Sequence, residues 1–489
     1  MNNDMNNMLP SVLQTNATDE NQSTMVESVI QEANSHNWVK QSFGKSRFVL
    51  QKKGTALAPN GALIWKFKWS AYASATDRTC SALKLDGGVS AIDNCRLYLG
   101  GKLISEVREV GQRIALDNSF IPYDAQVEIL DEKVSSNRQF SITTGGHTQL
   151  SADKNNTQVG FRGINDTESA NVECSVRLDQ LFPVLKDTML PSFLDGEIIV
   201  EIDWNGRFTE CFNEIADADA VWTDTLRDVE VVRPRLHLNY ITMADEVANA
   251  LKADIMGSTG MTIPYREQVL VKTVLNAVAT DNTSGSQDVE LGFNNRSVMK
   301  LYVQKQSNLD NQLLRKTRSD GLLQEELQLV VNNRNIFDRE VKKTSEMYSY
   351  LGQTAEKPSY LLAGSYGQVG RLGADVNAVQ NTFADTFQPP HQSTATTTTI
   401  ANVCNNLQGR KRYLGINLGK VRNQDTPQNS MRIGESPMIL RVNRNTATTG
   451  DEALTSNSAE SKGAYNMNVW VECVKVLMLK NGKVDSMNL

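Results

Sequence analysis

The sequence predicts an all-β protein built as two successive β-sandwiches, with a few short helices and long loops. Three observations carry this. Period-two alternation of apolar and polar residues dominates from Phe48 onward, which places apolar side chains on one face of each strand. Helical periodicity is confined to two short stretches, too few for the crossovers that parallel strand pairs require. The alternation also stops once, over residues 205–228, and then resumes.

Taken in order, residues 1–35 contain no Lys or Arg, five acids (Asp4, Asp19, Glu20, Glu27, Glu32) and much Asn, Ser and Thr. Such a segment buries too little apolar surface to offset its ordering entropy, so a flexible acidic arm is expected. The first unit spans 36–205. In it Leu63, Trp65, Phe67 and Trp69 alternate with Ile64, Lys66 and Lys68; Val172, Cys174, Val176 and Leu178 with Glu173, Ser175, Arg177 and Asp179; and Ile198, Val200, Ile202 and Trp204 with Ile199, Glu201 and Asp203. Shorter strands are expected at Leu97–Leu99 and Phe140–Ile142, between turn-forming Gly, Asn, Asp and Ser clusters.

Residues 206–230 gather acids and read as a connector to a second unit at 231–489. Strands are expected there at Leu236–Tyr240, Val269–Leu275, Val289–Phe293, Met299–Val303, Leu327–Val331, Met438–Val442 and Met467–Leu479. The last of these is predicted to be a central core strand, with Val469, Val471 and Cys473 inward, Asn468 outward, and a bulge near Lys475. Leu103, Val107, Val110 and Ile114 form one helical stripe. Met243, Val247 and Leu251 form another, behind a Thr242 N-cap with Asp245 at N3. Residues 143–170 and about 352–399 are long loop insertions, and loops of that length are usually functional or disordered.

Composition narrows the function classes. A length of 489 residues fits about three ordinary domains or two large all-β ones. A hydrophobic fraction of 40% with 22% charged residues argues against whole-chain disorder, a collagen-like repeat or a membrane bundle. A net charge of −6 lacks the basic excess of a phosphate-neutralising protein, so no direct sequence-specific nucleic-acid binding is expected. Six cysteines (Cys80, Cys95, Cys174, Cys211, Cys404, Cys473) include no CxxC and read as free thiols. With no secretory-type leader and no apolar run long enough to span a bilayer, a soluble product folded inside a cell is expected. The N-x-S/T triplets at Asn16, Asn21, Asn155, Asn165, Asn282 and Asn295 then read as by-products of an Asn-rich chain.

Site chemistry is sparse. The histidines His36, His147, His237 and His391 are far apart and fit no zinc spacing. Asp217, Asp219, Asp224 and Asp228 lack the Gly and twelfth-position Glu of a calcium loop. In YLGINLGKV the glycines Gly415 and Gly419 are one residue short of a P-loop, and Val421 stands where Ser or Thr would bind magnesium. Gly364, Gly367, Gly370 and Gly373 repeat every three residues, without the dinucleotide spacing. Arg410, Lys411 and Arg412 have only Tyr413 beside them, too little for a single-strand groove. No catalytic, cofactor-binding or metal-binding residues are assigned, no cofactor is expected, and the chain is not expected to be an enzyme.

Residues 172–204 (VECSVRLDQLFPVLKDTMLPSFLDGEIIVEIDW) and the following RPRLHLNYITMADEVANAL resemble the double jelly-roll major capsid proteins of tailless icosahedral double-stranded DNA viruses, such as polinton-like viruses, virophages and giant algal viruses. The first stretch is similar to the end of that family's first jelly roll, the second to the strand and helix that open the second. The resemblance implies two jelly rolls standing side by side, homotrimeric pseudo-hexagonal capsomers, and a place in the virion after synthesis in a host cell. It implies minor capsid and penton proteins as partners, leaves room for an internal membrane, and places loop towers on the outer end. The competing readings are a minor capsid or penton protein, and a β-sandwich carbohydrate-binding protein or glycosidase. The last would need two carboxylates about 5–10 Å apart in a cleft.

Overall fold

The structure is a computed structural model and describes residues 23–37, 44–70, 80–83, 89, 91–119, 169–205, 212–215, 229–276, 284–307, 325–342, 344–354, 414–421, 425–445 and 465–488. The first unit contains strands β1 (Ser23–Glu32), β2 (Ser35–Asn37), β3 (Gly44–Val49), β4 (Ala56–Leu57), β5 (Ala62–Ser70), β6 (Cys80–Leu83), β7 (Ile92–Leu99) and β8 (Lys102–Arg108). Helix α1 (Val110–Ser119), strand β9 (Ser169–Arg177), short helices α2 (Leu178–Leu181) and α3 (Val184–Asp187), and strands β10 (Leu190–Pro191), β11 (Ile198–Trp204), β12 (Phe212–Ile215) and β13 (Val229–Met243) follow. After helix α4 (Asp245–Met256) the second unit comprises β14 (Met261–Leu275), β15 (Ser284–Gly292), β16 (Ser297–Ser307), β17 (Glu325–Val331), β18 (Arg334–Asn335), helix α5 (Thr344–Thr354), β19 (Leu414–Asn417), β20 (Met431–Arg432), β21 (Met438–Asn445), β22 (Tyr465–Lys480) and β23 (Lys483–Asn488).

Each unit is a sandwich of two antiparallel sheets. In the first, the order β10-β4-β13-β5-β9, with β1 added beside β13, faces β2-β3-β11-β7-β8. In the second, β14-β22-β16-β19, extended by β20 and β23, faces β15-β21-β17-β18. Strands distant in sequence lie side by side, β11 between β3 and β7 and β22 between β14 and β16, as Greek-key connections of a jelly roll require. Alternation sets the packing: β11 is buried at every second residue from Ile198 to Trp204. Across the first core the Trp65 and Trp204 rings lie 5.5 Å apart, and the Trp204 indole N–H donates to Ser46 Oγ at 2.7 Å.

Several sequence-based expectations change. The described part of the supposed arm is structured: β1 pairs with β13 from Ser23↔Met243 to Glu32↔Arg235. Its side chains give little hint of this, since Val26 and Ile30 stay 60% and 64% exposed; the backbone ladder, more than burial, holds the strand. Residues 1–22 lie outside the described residues. The supposed connector 206–230 contains β12, paired with β6, and the first two residues of β13. Strand β13 itself, read as opening the second unit, lies in the first sandwich between β1 and β5. The first sandwich therefore runs from Ser23 to Met243 instead of ending at residue 205.

The stripe from Leu103 to Ile114 is split between two elements. Gly100 and Gly101 take φ of +56° and +78°, a glycine-requiring hairpin turn, so Leu103 and Val107 belong to β8, and the helix begins only at Val110. A Cβ on Gly196 would meet Gly100 Cα at 2.2 Å, so that turn packs directly on the loop before β11. Helix α4 is capped by Ala244 without a side-chain bond. Thr242, the expected cap, is still paired in the ladder with Met25, and Asp245 occupies the first turn of the helix, where its charge suits the dipole. Phe140–Ile142, residues 143–168 and residues 355–399 lie outside the described residues.

The long strand β22 is central, as expected. Met467, Val469, Val471 and Cys473 enter the second core, while Leu477 and Leu479 on the same face enter the first. Its ladder with β14 is unbroken from Met261↔Leu479 to Leu275↔Tyr465. The irregularity lies instead in the neighbouring β16, between Val298 and Lys300. On the other face Asn468 is fully buried, so the expectation that it faces solvent is wrong.

Two predictions follow from these placements. Val471→Asp and Asn468→Asp should both destabilise the fold by several kcal/mol, since each buries a new carboxylate, and denaturant titration of the two variants measures it. Deleting residues 23–35 should lower the unfolding midpoint, because it strips a strand from β13; an unchanged midpoint would show that β1 is dispensable.

Candidate functional site at the sandwich junction

Among the described residues no group of three or more His, Cys, Asp or Glu side chains is placed to hold a metal ion, and no helix is long and apolar enough to cross a membrane. Cys95, Cys174 and Cys473 are free and buried; burial pushes the Cys473 thiol up to about 12, which makes it a packing group rather than a nucleophile. His237 is half-buried on β13, and Leu414–Asn417 of the glycine motif is a strand. Asp217, Asp219, Asp224, Asp228, Gly364, Gly367, Gly370, Gly373, Arg410, Lys411 and Arg412 lie outside the described residues.

The chemistry that does concentrate is a buried charge network where the first unit meets the second. Two of its helices lie on the outer face of the sheet β14-β22-β16. From α1, Arg113 Nη2 donates to Glu472 Oε1 at 3.2 Å, its guanidinium sits 5.7 Å over the Tyr302 ring, and Gln112 pairs with Asn468 at 3.3 Å. Leu116 of α1 adds an apolar contact with Tyr302, Leu351 and Trp470. From α3, Asp187 accepts the Arg266 backbone N–H at 2.9 Å, Nε at 2.9 Å and Nη2 at 2.8 Å.

Arg266 continues the chain of bonds, donating through Nη1 to Asp425 Oδ2 at 2.8 Å and through Nη2 to the Asp425 carbonyl at 2.6 Å. Lys300 Nζ bridges Asp425 Oδ1 at 3.0 Å and Glu472 Oε2 at 3.5 Å. Gln268 Nε2 donates to Glu472 Oε1 at 2.9 Å. Three cations thus meet three anions, and all are largely buried except Asp425, whose side chain is 41% exposed.

Burial by itself would raise the Glu472 carboxyl, but Lys300, Arg113 and Arg266 outweigh it and hold the group well below the usual carboxylate range. Burial likewise opposes the charge on Lys300, which Glu472 and Asp425 nonetheless hold above its ordinary value. Burial pushes the Asp187 carboxyl up, against the opposing pull of the Arg266 guanidinium and backbone N–H bonds. Each ion costs several kcal/mol to desolvate, so the array is stable only when complete. No motif marked these residues: they are spread from position 113 to 472, and alternation places Glu472 and Lys300 on strand faces that read as solvent-exposed.

The matching prediction is a pH dependence. A depressed carboxylate stabilises the fold above its unfolded pKa, ordinarily 4.5 for Glu, and the contribution is lost as pH falls toward the folded value. Glu472→Gln should therefore cost about 3–5 kcal/mol at neutral pH and flatten the loss of stability below about pH 4; urea titrations at several pH values measure both.

No protein-family model matches the sequence, and no curated protein does. Solved structures do match over nearly the whole chain. A chain from the 3.5 Å structure of the Sputnik virophage is 12% identical, with 96% of this chain and 89% of that one covered at a TM-score of 0.55. PBCV-1 VP54, as fitted into a reconstruction of Sputnik, is 10% identical, with 96% and 99% covered at 0.54. The Faustovirus major capsid protein is 8% identical, with 95% and 92% covered at 0.50. Together with the two Greek-key sandwiches described above, these likenesses establish that the chain has the double jelly-roll fold of viral capsid proteins.

Proposed function

We propose that this chain is the major capsid protein of a tailless icosahedral double-stranded DNA virus. It assembles into homotrimers of pseudo-hexagonal outline, and these tile the shell. The observation that carries this reading is the end-to-end likeness to double jelly-roll capsid chains, which engages both sandwiches. A penton protein with one jelly roll would use only half of this chain.

Physical considerations support the same assembly. Six sandwiches from three copies approximate a six-coordinated tile while needing only a three-fold axis. The contact that closes such a ring is heterologous, one face of a copy against a different face of the next. Weaker contacts between trimers then extend the lattice. The role is structural, with no catalytic step. The partners are further copies of the chain, then minor capsid and penton proteins, which we assign to residues 1–22; the acidic character of that segment disfavours direct contact with the genome or an anionic membrane. Residues 352–354 close helix α5, and the rest of the insertion, to about residue 399, is assigned to an exposed tower at the outer end. The protein is made in the host cell and ends in the virion.

Light scattering at micromolar concentration should return three times the 54.2 kDa chain mass, and concentrated protein should form hexagonal capsomers or sheets in negative stain. A stable monomer that hydrolyses glycans would overturn this reading in favour of a carbohydrate-active sandwich.

A further inference from the structure

The two sandwiches repeat one strand order. The run β1-β13-β5-β9 in the first corresponds strand for strand to β14-β22-β16-β19 in the second, and β3-β11-β7-β8 to β15-β21-β17-β18. Each also has a helix after the strand that ends its second sheet, α1 after β8 and α5 after β18. The outer faces of the corresponding first sheets differ. In the second sandwich Leu270, Trp470 and Tyr302 form a row across β14, β22 and β16 that packs with Leu116 of α1, and Gln268, Asn468 and Gln304 beside it are buried. In the first sandwich Ile30, His237 and Ala62 form a like row across β1, β13 and β5, and Val26 pairs with Ile241 on the same face. Val29 of β1 packs on the first core, so alternation turns Val26 and Ile30 outward, where they stay 60% and 64% exposed.

We propose that the outer face of β1-β13-β5 docks the second sandwich of another copy of this chain, whose α5 takes there the place that α1 takes on β14-β22-β16. The internal repeat carries the argument. Each sandwich has one such helix and one such sheet face, and within the chain only α1 and the second-unit face are joined. What remains is the first-unit face and the free side of α5, where Ser349 and Gln353 are exposed. Met347 and Leu351 hold α5 on its own sandwich, and there it leaves Val26 and Ile30 exposed, so covering them falls to a second copy. Strand β1 is also ten residues long, and among the described residues its edge away from β13 pairs with no strand. A long edge strand with exposed apolar side chains is a liability in a lone subunit, and this contact removes it. The contact joins two different faces and is therefore heterologous, so rotation repeats it until the ring closes. The inference rests on the assembly reading above and names the surface and the partner sandwich that close the ring.

The double variant Val26→Glu, Ile30→Glu tests it, because both side chains lie outside the core. Light scattering at micromolar concentration should return one chain mass of 54.2 kDa in place of three, with the circular dichroism of the unmodified protein retained. A second measurement needs no change within the patch. Glu32 is exposed at its rim, and a photo-cross-linking benzoylphenylalanine placed there, in a mixture of isotopically light and heavy chains, should join light to heavy chains through the second unit, Met261–Asn488. Cross-links between copies that fall only in the first unit, or none between copies, overturn the proposal, and this readout decides alone if the double variant does not fold. A double variant that remains a trimer overturns the docking surface and leaves the assembly reading standing; an unmodified protein that is a monomer overturns both.

Discussion

Glu472 sits mid-way along a strand that solvent reaches from neither face, and much of the molecule is arranged around that constraint. One side of β22 enters the second core; the other lies under α1, which belongs to the first unit. A carboxylate there is tolerable only with several cationic and amide donors around it. Those donors come from β14, β16 and α1, so satisfying one buried charge ties three parts of the chain to a single arrangement.

The two sandwiches are joined by apolar continuity as well. The interior face of β22 runs from the second core at Met467–Cys473 to the first at Leu477 and Leu479, and β14 mirrors it with Met261, Ile263 and Tyr265 in the first core. Where the strands cross between cores, apolar residues give way to Glu267 and Lys475, paired at 2.6 Å. The Tyr265 hydroxyl donates to the Ile104 carbonyl of β8 at 2.8 Å, adding a bond across the same boundary. Strands β14 and β22 thus each contribute side chains to both cores.

Much of the fold was legible from residue order, because one buried face per strand imposes period two whatever its partner. Ile198–Trp204, Leu327–Val331 and Met438–Val442 are strands for that reason. The errors arose where a neighbour distant in sequence overrode the local pattern. Ser23–Glu32 carries exposed Val26 and Ile30 and too little apolar surface to announce itself, yet β13 supplies a full ladder of backbone partners. Leu103 and Val107 share a helical stripe with Val110 and Ile114, but a glycine turn returns the first pair to β7. Asn468 and Glu472 occupy polar positions in an alternating strand, and only the docking of α1 makes them interior.

By itself, then, the sequence determined an all-β chain in two units and the inward face of most strands, since these follow from the local spacing of apolar side chains. The tertiary structure decided the membership of β1 and β13 in the first sandwich and the assembly of Arg113, Asp187, Arg266, Lys300, Asp425 and Glu472 into one buried array. Pairing partners and buried charges depend on which surfaces meet after the chain has folded back over hundreds of residues, and no local period records that meeting.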